Sequence, residues 1–228
     1  MSQPIDDIIR TRKTAKILRD PTACTDVPED VQENLRQTLH EIIELAGWAP
    51  FHKVANKQYH RQDAMQSVVP WRFFVLEKAA CCQIVQHIER QATDHPESKW
   101  AKAWQSKIPK LLAGCGALIQ VTWLPDPPAQ GDAPALTNEN VEHIAAASAA
   151  VQNVLLAAEG RGLYTYWSSG GILRDSEMFA YLGIPTNQML LGSIFLAHPD
   201  MPHDENQPGG LRDARGAVSD WSTWVELG

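Results

Sequence analysis

Apolar residues recur along this chain in helical and strand rhythms. After Pro4, Ile5, Ile8 and Ile9 stand at helical spacing and lead into the basic stretch 10–16, which predicts a short helix ending in a cationic segment. Val31, Leu35, Leu39, Ile42 and Ala46 form one stripe, so a second helix begins near Pro28, capped by Thr25 or Asp26, and ends before Pro50. The runs WRFFVL (71–76) and ALIQVTW (117–123) read as buried strands, with residues 79–110 between them as one mostly polar helical region. Two more strands follow at 163–167 (LYTYW) and 189–196 (MLLGSIFL), separated by a short helix at 176–182. The longest helix signal covers 138–161, with Val141, Ile144, Ala145, Ser148, Gln152, Leu155 and Leu156 on one side, and Gly162 stopping it in a left-handed conformation. Strands and helices do not alternate strictly, so the class is α+β with a mixed sheet.

Two stretches fall outside these rhythms. Residues 51–70 are polar, carry His52, Lys53, His60 and Arg61, and read as an extended loop of the kind that serves binding sites. The prolines of PDPPAQGDAP (125–134) mark a surface loop. The 228 residues, 44% of them apolar, are enough for one continuous core and a single domain, and no internal repeat is visible.

Charge and composition narrow the functions. The net charge is -7 and the 20 basic residues are scattered, which argues against a nucleic-acid binder and for small-molecule partners. No run approaches the about 18 apolar residues needed to cross a bilayer, and the opening MSQPIDDIIRTRK lacks the apolar core of a signal peptide, so no membrane partner is expected. Cys24, Cys81, Cys82 and Cys115 lack metal-ligand spacing, and the adjacent pair could bridge only through a strained ring; a reducing cytoplasm is the expectation. His198, Asp200, His203 and Asp204 offer N and O ligands, but prolines break any helix that would align them, so no metal is expected. No G-x-G-x-x-G follows a strand, which argues against a Rossmann nicotinamide domain.

Four segments carry candidate chemistry. Residues 9–18, IRTRKTAKIL, set Arg12, Lys13, Thr14 and Lys16 together; an Arg fork with a hydroxyl suits a phosphate dianion, while the plainer reading is a solvated basic helix end. Residues 46–53, AGWAPFHK, precede PWRFFVLE at 70–77, where Arg72 reads as a strand-edge charge. Residues 143–171 end in Trp167, Ser168, Ser169, Gly170 and Gly171, a composition that fits an ordinary turn or a loop whose backbone lies close to a flat ligand. Residues 182–199, LGIPTNQMLLGSIFLAHP, are followed by Arg212 and Arg215.

In this order the segments resemble the nitroreductase family, FMN enzymes that dimerise and hold the flavin in the dimer interface. The family patterns are I-x-x-R-R-S-x-R-x-F, then A-x-x-A-P-S-x-x-N-x-Q-P-W-x-F-V-V, then A-x-Q-N-x-x-L-A-A-x-x-x-G-L-G, then L-G-I-P with a late basic residue. The resemblance implies a mainly antiparallel sheet flanked by helices, a long central helix and a homodimer. It implies that Arg12, Lys13 and Thr14 meet the FMN phosphate or ribityl chain, joined by Arg212 or Arg215, and that Lys16 is the cation near the ring. Trp167, Ser168, Ser169 and Gly170 would form the turn beside flavin N5. His52 and Lys53 match a subgroup with His-Lys after Ala-Pro, and Asn56 with Gln58 mimics N-x-Q, although residues 54–69 interrupt the pattern as an insertion. The implied function is an FMN-dependent reductase passing electrons from NAD(P)H to a small nitroaromatic, quinone or enone-like substrate by a ping-pong route, with Lys16 and His52 as catalytic candidates. The alternatives are a flavin-binding or sensing protein with little turnover, or oxidase, dehalogenase or flavin-cleaving chemistry on the same scaffold.

Overall fold

In the computed structural model, residues 4–25, 27–128 and 134–227 are described. The elements in chain order are α1 (Ile5–Thr11), β1 (Ala15–Leu18), α2 (Glu29–Ala46), β2 (Trp71–Glu77), α3 (Lys78–Asp94), α4 (Lys99–Trp104), α5 (Ile108–Gly114), β3 (Ala117–Trp123), α6 (Asn138–Glu159), β4 (Tyr164–Ser168), α7 (Ser176–Leu182), β5 (Met189–Ala197) and β6 (Glu205–Pro208). Strands β2-β3-β5-β4 form one sheet with every neighbour antiparallel, and β1 pairs with β6 in a small second sheet. Among the described residues a single parallel bridge, Thr14 to Thr165, joins the two and supplies the mixed character.

The sheet divides the core. On one face Leu35, Leu39, Ile42 and Ala46 of α2 and Val151, Val154, Leu155 and Ala158 of α6 pack on Ile119, Val121 and Ile194. On the other, α3, α4 and α5 bring Ile84, Ile88, Trp100, Leu111 and Leu112 against Leu118 and Phe195. Burying side chains of this size stabilises each by about 1.5–3 kcal/mol, which is why short helices such as α4 and α5 hold their places.

Several local expectations change. The region 79–110 is three helices, because Pro96 and the Ser98 cap, whose hydroxyl accepts from Trp100 N–H, restart the chain after α3, and Pro109 opens α5. Helix α2 is preceded by Pro28 as its cap residue with no side-chain bond, so Thr25 does not cap it, and Asp26 lies outside the described residues. Part of the 125–134 loop, residues 129–133, lies outside them too. The basic stretch is not one helix end: α1 stops at Thr11 and Lys16 sits in β1. Helix α6 ends at Glu159, with Gly162 two residues past its Gly160 cap at φ 72.

The stripe read from α6 coincides only in part with its buried side: Leu155 is buried and Ile144 packs on the core. The buried side chains are Asn140, His143, Ala146, Ala147, Ala150, Val151, Val154, Leu155 and Ala158, whereas Val141, Ala145 and Gln152 face out. By length and composition alone α6 could cross a bilayer, with mean hydropathy 1.3. Its inner residues, however, pack between α2 and the sheet as a core helix does. Cys24 and Cys82 form a disulfide that the sequence reading did not anticipate.

Candidate functional site

The first group of candidates converges where α1, β1, β4 and the C-terminal tail meet. Arg12 ends α1 and is half-buried, and Lys13 is exposed beside it. Thr14 lies against Thr165 of β4, and its carbonyl accepts the Gly209 N–H at 3.1 Å. A Cβ on Gly209 would stand 2.8 Å from that of Thr14, so the tail passes this closely only as glycine. Lys16 places its ammonium 5.3 Å from the centre of the Tyr166 ring, a cation–π distance.

The tail closes the group. Arg212 donates to the main-chain carbonyls of Thr11 and Arg12 at 3.0 and 3.1 Å and to that of Arg10, answering the free carbonyls at the end of α1. Arg215 spends only its Nε, on the Arg212 carbonyl at 2.9 Å. Sequence reasoning missed Lys107, whose ammonium donates at 2.8 Å to Gln207 Oε1, opposite Lys16 in the β1–β6 register. Among the described residues none of Arg12, Lys13, Lys16, Lys107, Arg212 or Arg215 takes part in an ion pair.

At the end of β4 the chain turns at Ser168–Gly171. Ser168 is buried and its hydroxyl accepts the Gly170 N–H at 3.2 Å, leaving Ser169 exposed. Gly170 has φ 100, a conformation that favours glycine, and a Cβ there would lie 2.5 Å from Leu190. Arg174 braces the turn with two hydrogen bonds, 2.9 and 2.6 Å, to the Ser169 carbonyl. Trp167 lies across Gly192, where a Cβ would sit 2.0 Å from its Nε1. A separate apolar cavity of about 620 Å³, lined by Val31, Leu35, Leu163 and Met201, opens at the other end of β4, away from these residues.

The remaining candidates sit elsewhere in the protomer. His52 and Lys53 are exposed, with the Lys53 ammonium 3.9 Å from Glu139 at the start of α6. Asn56 is used locally: its N–H donates to Asp126 at 3.1 Å and its side-chain oxygen accepts from Gln58 N–H at 3.0 Å. No contact among the described residues joins these three to the Arg12–Lys16 group.

Residues 54–69 are clasped to the body. Ala55 N–H donates to the Val68 carbonyl at 2.9 Å. Arg72, read from sequence as a strand-edge charge, is buried instead: its Nε meets Asp63 at 2.7 Å, and its other nitrogens reach the carbonyls of Ser67, Val69 and Trp71. His60 is buried with Nε2 2.9 Å from the Pro125 carbonyl, and burial pulls its pKa below 6.5, partly offset by that bond. In the stretch 198–205, His198 lies 3.4 Å from Asp200 while His203 turns to the Met201 carbonyl.

Comparison with known proteins places this geometry. The family model described as Nitroreductase family matches residues 35–198. No curated protein matches the chain. Among solved structures, a nitroreductase-like family protein from Bacillus cereus is 22% identical with TM-score 0.65, over 100% of this chain and 98% of that one. A nitroreductase with bound FMN from Bacteroides fragilis is 17% identical with TM-score 0.56, over 99% and 100%. Another with bound FMN, from Desulfitobacterium hafniense, is 18% identical with TM-score 0.56, over 99% and 100%. These likenesses speak for the fold, and with the family match over residues 35–198 they make this chain a member of the nitroreductase family.

Proposed function

We propose that this chain is an FMN-dependent oxidoreductase that takes electrons from NAD(P)H. The observation that carries the reading is the set of cations at the α1–β1–tail junction with no carboxylate partner among the described residues. Cations that share one junction without carboxylate partners favour an outside anion. The residues present fit FMN. Arg12, Lys13 and Arg215 would hold the phosphate by charge-assisted hydrogen bonds, with the Thr14 hydroxyl beside them. Arg212 acts from behind, fixing the carbonyls of residues 10–12 and so the direction of Arg12. Lys16 would face the ring, its position set by Tyr166. The Ser168–Gly171 turn, stripped of side-chain bulk and braced by Arg174, offers backbone to the ring edge.

When bound, FMN would supply the redox chemistry, ping-pong hydride and electron transfer between NAD(P)H and a small nitroaromatic, quinone or enone-like electrophile. The protein would hold the ring, with the Lys16 charge near it favouring added negative charge there.

The same reading includes a homodimer with the site at the interface. Its support is the apolar outward face: Val141 of α6, Ile5 and Ile9 of α1, and Leu45, Trp48, Phe51 and Val54 are all exposed, with Trp48 at 81%. His52 and Lys53 border this face, so a second copy would bring them to a flavin held by Arg12 and Lys16, with residues 54–69 an insertion in a single domain. Anaerobic addition of NADH or NADPH to FMN-loaded protein tests the activity. Bleaching of the flavin followed by recolouring with a nitroaromatic or quinone is the expected result; a flavin left oxidised by both nicotinamides overturns it.

A further inference from the structure

One rung of the main sheet is polar where its neighbour is apolar. Across β3, β5 and β4 the register sets Gln120 opposite Ser193 and Ser193 opposite Ser168, all on one face because side chains alternate along a strand. The three are buried, at 0%, 0% and 6% exposure. Two residues along the same strands stand Leu118, Phe195 and Tyr166, the apolar rung that packs with α3, α4 and α5.

The hydrogen bonds of the polar rung run to the Ser168–Gly171 turn and to the short 3-10 helix that continues it, Gly171–Arg174. Ser193 donates its hydroxyl to Gln120 Oε1 at 2.5 Å, and Gln120 Nε2 donates to the main-chain carbonyl of Leu173 at 3.3 Å. The Leu173 N–H reaches back to the Gly170 carbonyl at 3.0 Å, and the Gly170 N–H donates to the Ser168 hydroxyl at 3.2 Å. Gly170 rests on the rung: a Cβ there would stand 3.3 Å from Ser193 Oγ. The turn is therefore fixed from beneath at both ends, at Ser168 and at Leu173, while the exposed Arg174 holds the Ser169 carbonyl.

Taking a polar group out of water is unfavourable unless its bonds are remade, so apolar side chains at 120 and 193 would fill this layer at lower cost. They would not hold the Leu173 carbonyl. The same bonds decide which amides of the turn stay free. The Gly170 N–H is spent on Ser168, whereas the N–H groups of Ser169 and Gly171 meet no acceptor among the described residues.

We propose, resting on the FMN reading above, that Gln120 and Ser193 are positioning residues for the flavin: without touching it, they set the height of the turn whose free Ser169 and Gly171 N–H groups meet the ring edge. Donors fixed in advance stabilise charge that develops on their target without first having to be reordered, so a rigid turn favours added negative charge at that edge. A loosened turn keeps the donors and loses the preference.

The test uses full-length Gln120→Met, similar in shape but with neither hydrogen bond, and Ser193→Ala, a milder change that decides the matter if the first variant does not fold. Hydrogen exchange of residues 168–174 is followed in flavin-free protein, and the potential of bound FMN is measured by reductive titration against a reference dye. Exchange is expected to rise at 168–174 in both variants. In Gln120→Met, reduced FMN is expected to lose about 10-fold more affinity than oxidised FMN, a potential lowered by about 30 mV for a two-electron couple, with a smaller shift in the same direction in Ser193→Ala. Faster exchange with an unaltered potential makes the two residues merely structural and overturns the proposal, as does unaltered exchange. Failure of the wild type to bind FMN overturns the FMN reading and this proposal with it, whereas either of the former results in protein that binds FMN overturns this proposal alone.

Discussion

The clasped segment 54–72 and the cationic junction of α1, β1 and the tail handle charge in opposite ways. In the first, Arg72 and Asp63 are both 2% exposed in their side chains, meet at 2.7 Å, and every guanidinium nitrogen finds an acceptor. In the second, cations collect around carbonyls and an aromatic ring, with no carboxylate among the described residues to answer them. A buried charge is tolerated only when the protein itself completes its partners, whereas exposed charges left unanswered at one place have an outside partner to meet. The clasp is scaffold; the junction, on the proposed reading, is a socket.

Breaking the clasp should have the largest effect. Arg72→Met takes away the buried partner of Asp63, leaving it only Lys57 at 3.4 Å and the Met65 N–H, and is expected to destabilise the fold by up to about 3–5 kcal/mol in urea unfolding. Adding Asp63→Leu should recover much of that loss, and no recovery would mean that the pair is not what holds the segment.

The socket should respond in binding rather than stability. Arg215→Ala and Arg12→Ala are each expected to weaken FMN about 10–100-fold, the range of one or two kcal/mol-scale charge-assisted bonds, with an unchanged unfolding midpoint. Arg212→Ala sharpens the contrast, because the same side chain holds three carbonyls of α1: it should lose affinity and stability together.

Acid should loosen the clasp before the socket. His60 is held neutral by burial, so its folded pKa lies below the 6.5 expected when unfolded. Its stability contribution is complete above pH 6.5 and falls as pH drops below that value toward the folded pKa. Hydrogen exchange in residues 54–69 should rise over this interval in the wild type, and the pH dependence should vanish in His60→Asn. The smallest effect is electrostatic: Lys16→Ala is expected to lower the bound-flavin potential by roughly 30 mV, equivalent to about 1.4 kcal/mol for a two-electron couple. An unaltered potential would remove Lys16 from the ring.

How much of this was legible beforehand follows the range of the interactions. β3 and α7 coincide with their sequence expectations, because an unbroken apolar run and a short capped helix are local signals. β1 and β6 were missed: four residues each, and ENQP alternates nothing. The α6 stripe overlaps the buried side only in part, because alanines and valines line both faces and periodicity alone does not say which one the sheet covers. In the site, Arg12, Thr14 and Lys16 were readable as a compact motif, and the structure does bring them together with Arg212 and the β4 end. The Lys107–Gln207 bond and the Asp63–Arg72 clasp join residues that no short pattern links, and the Cys24–Cys82 bond spans 58 positions.

The central claim is that the unanswered cations form the phosphate end of an FMN site. Titration of FMN into flavin-free protein, followed by flavin fluorescence, tests it most directly when the wild type is compared with an Arg12→Ala, Arg215→Ala double variant. The account predicts saturable binding by the wild type and a loss of at least about 10-fold in the variant, with riboflavin, which lacks the phosphate, indifferent to the change. Failure of the wild type to bind FMN, or equal FMN affinity in the two proteins, would contradict it.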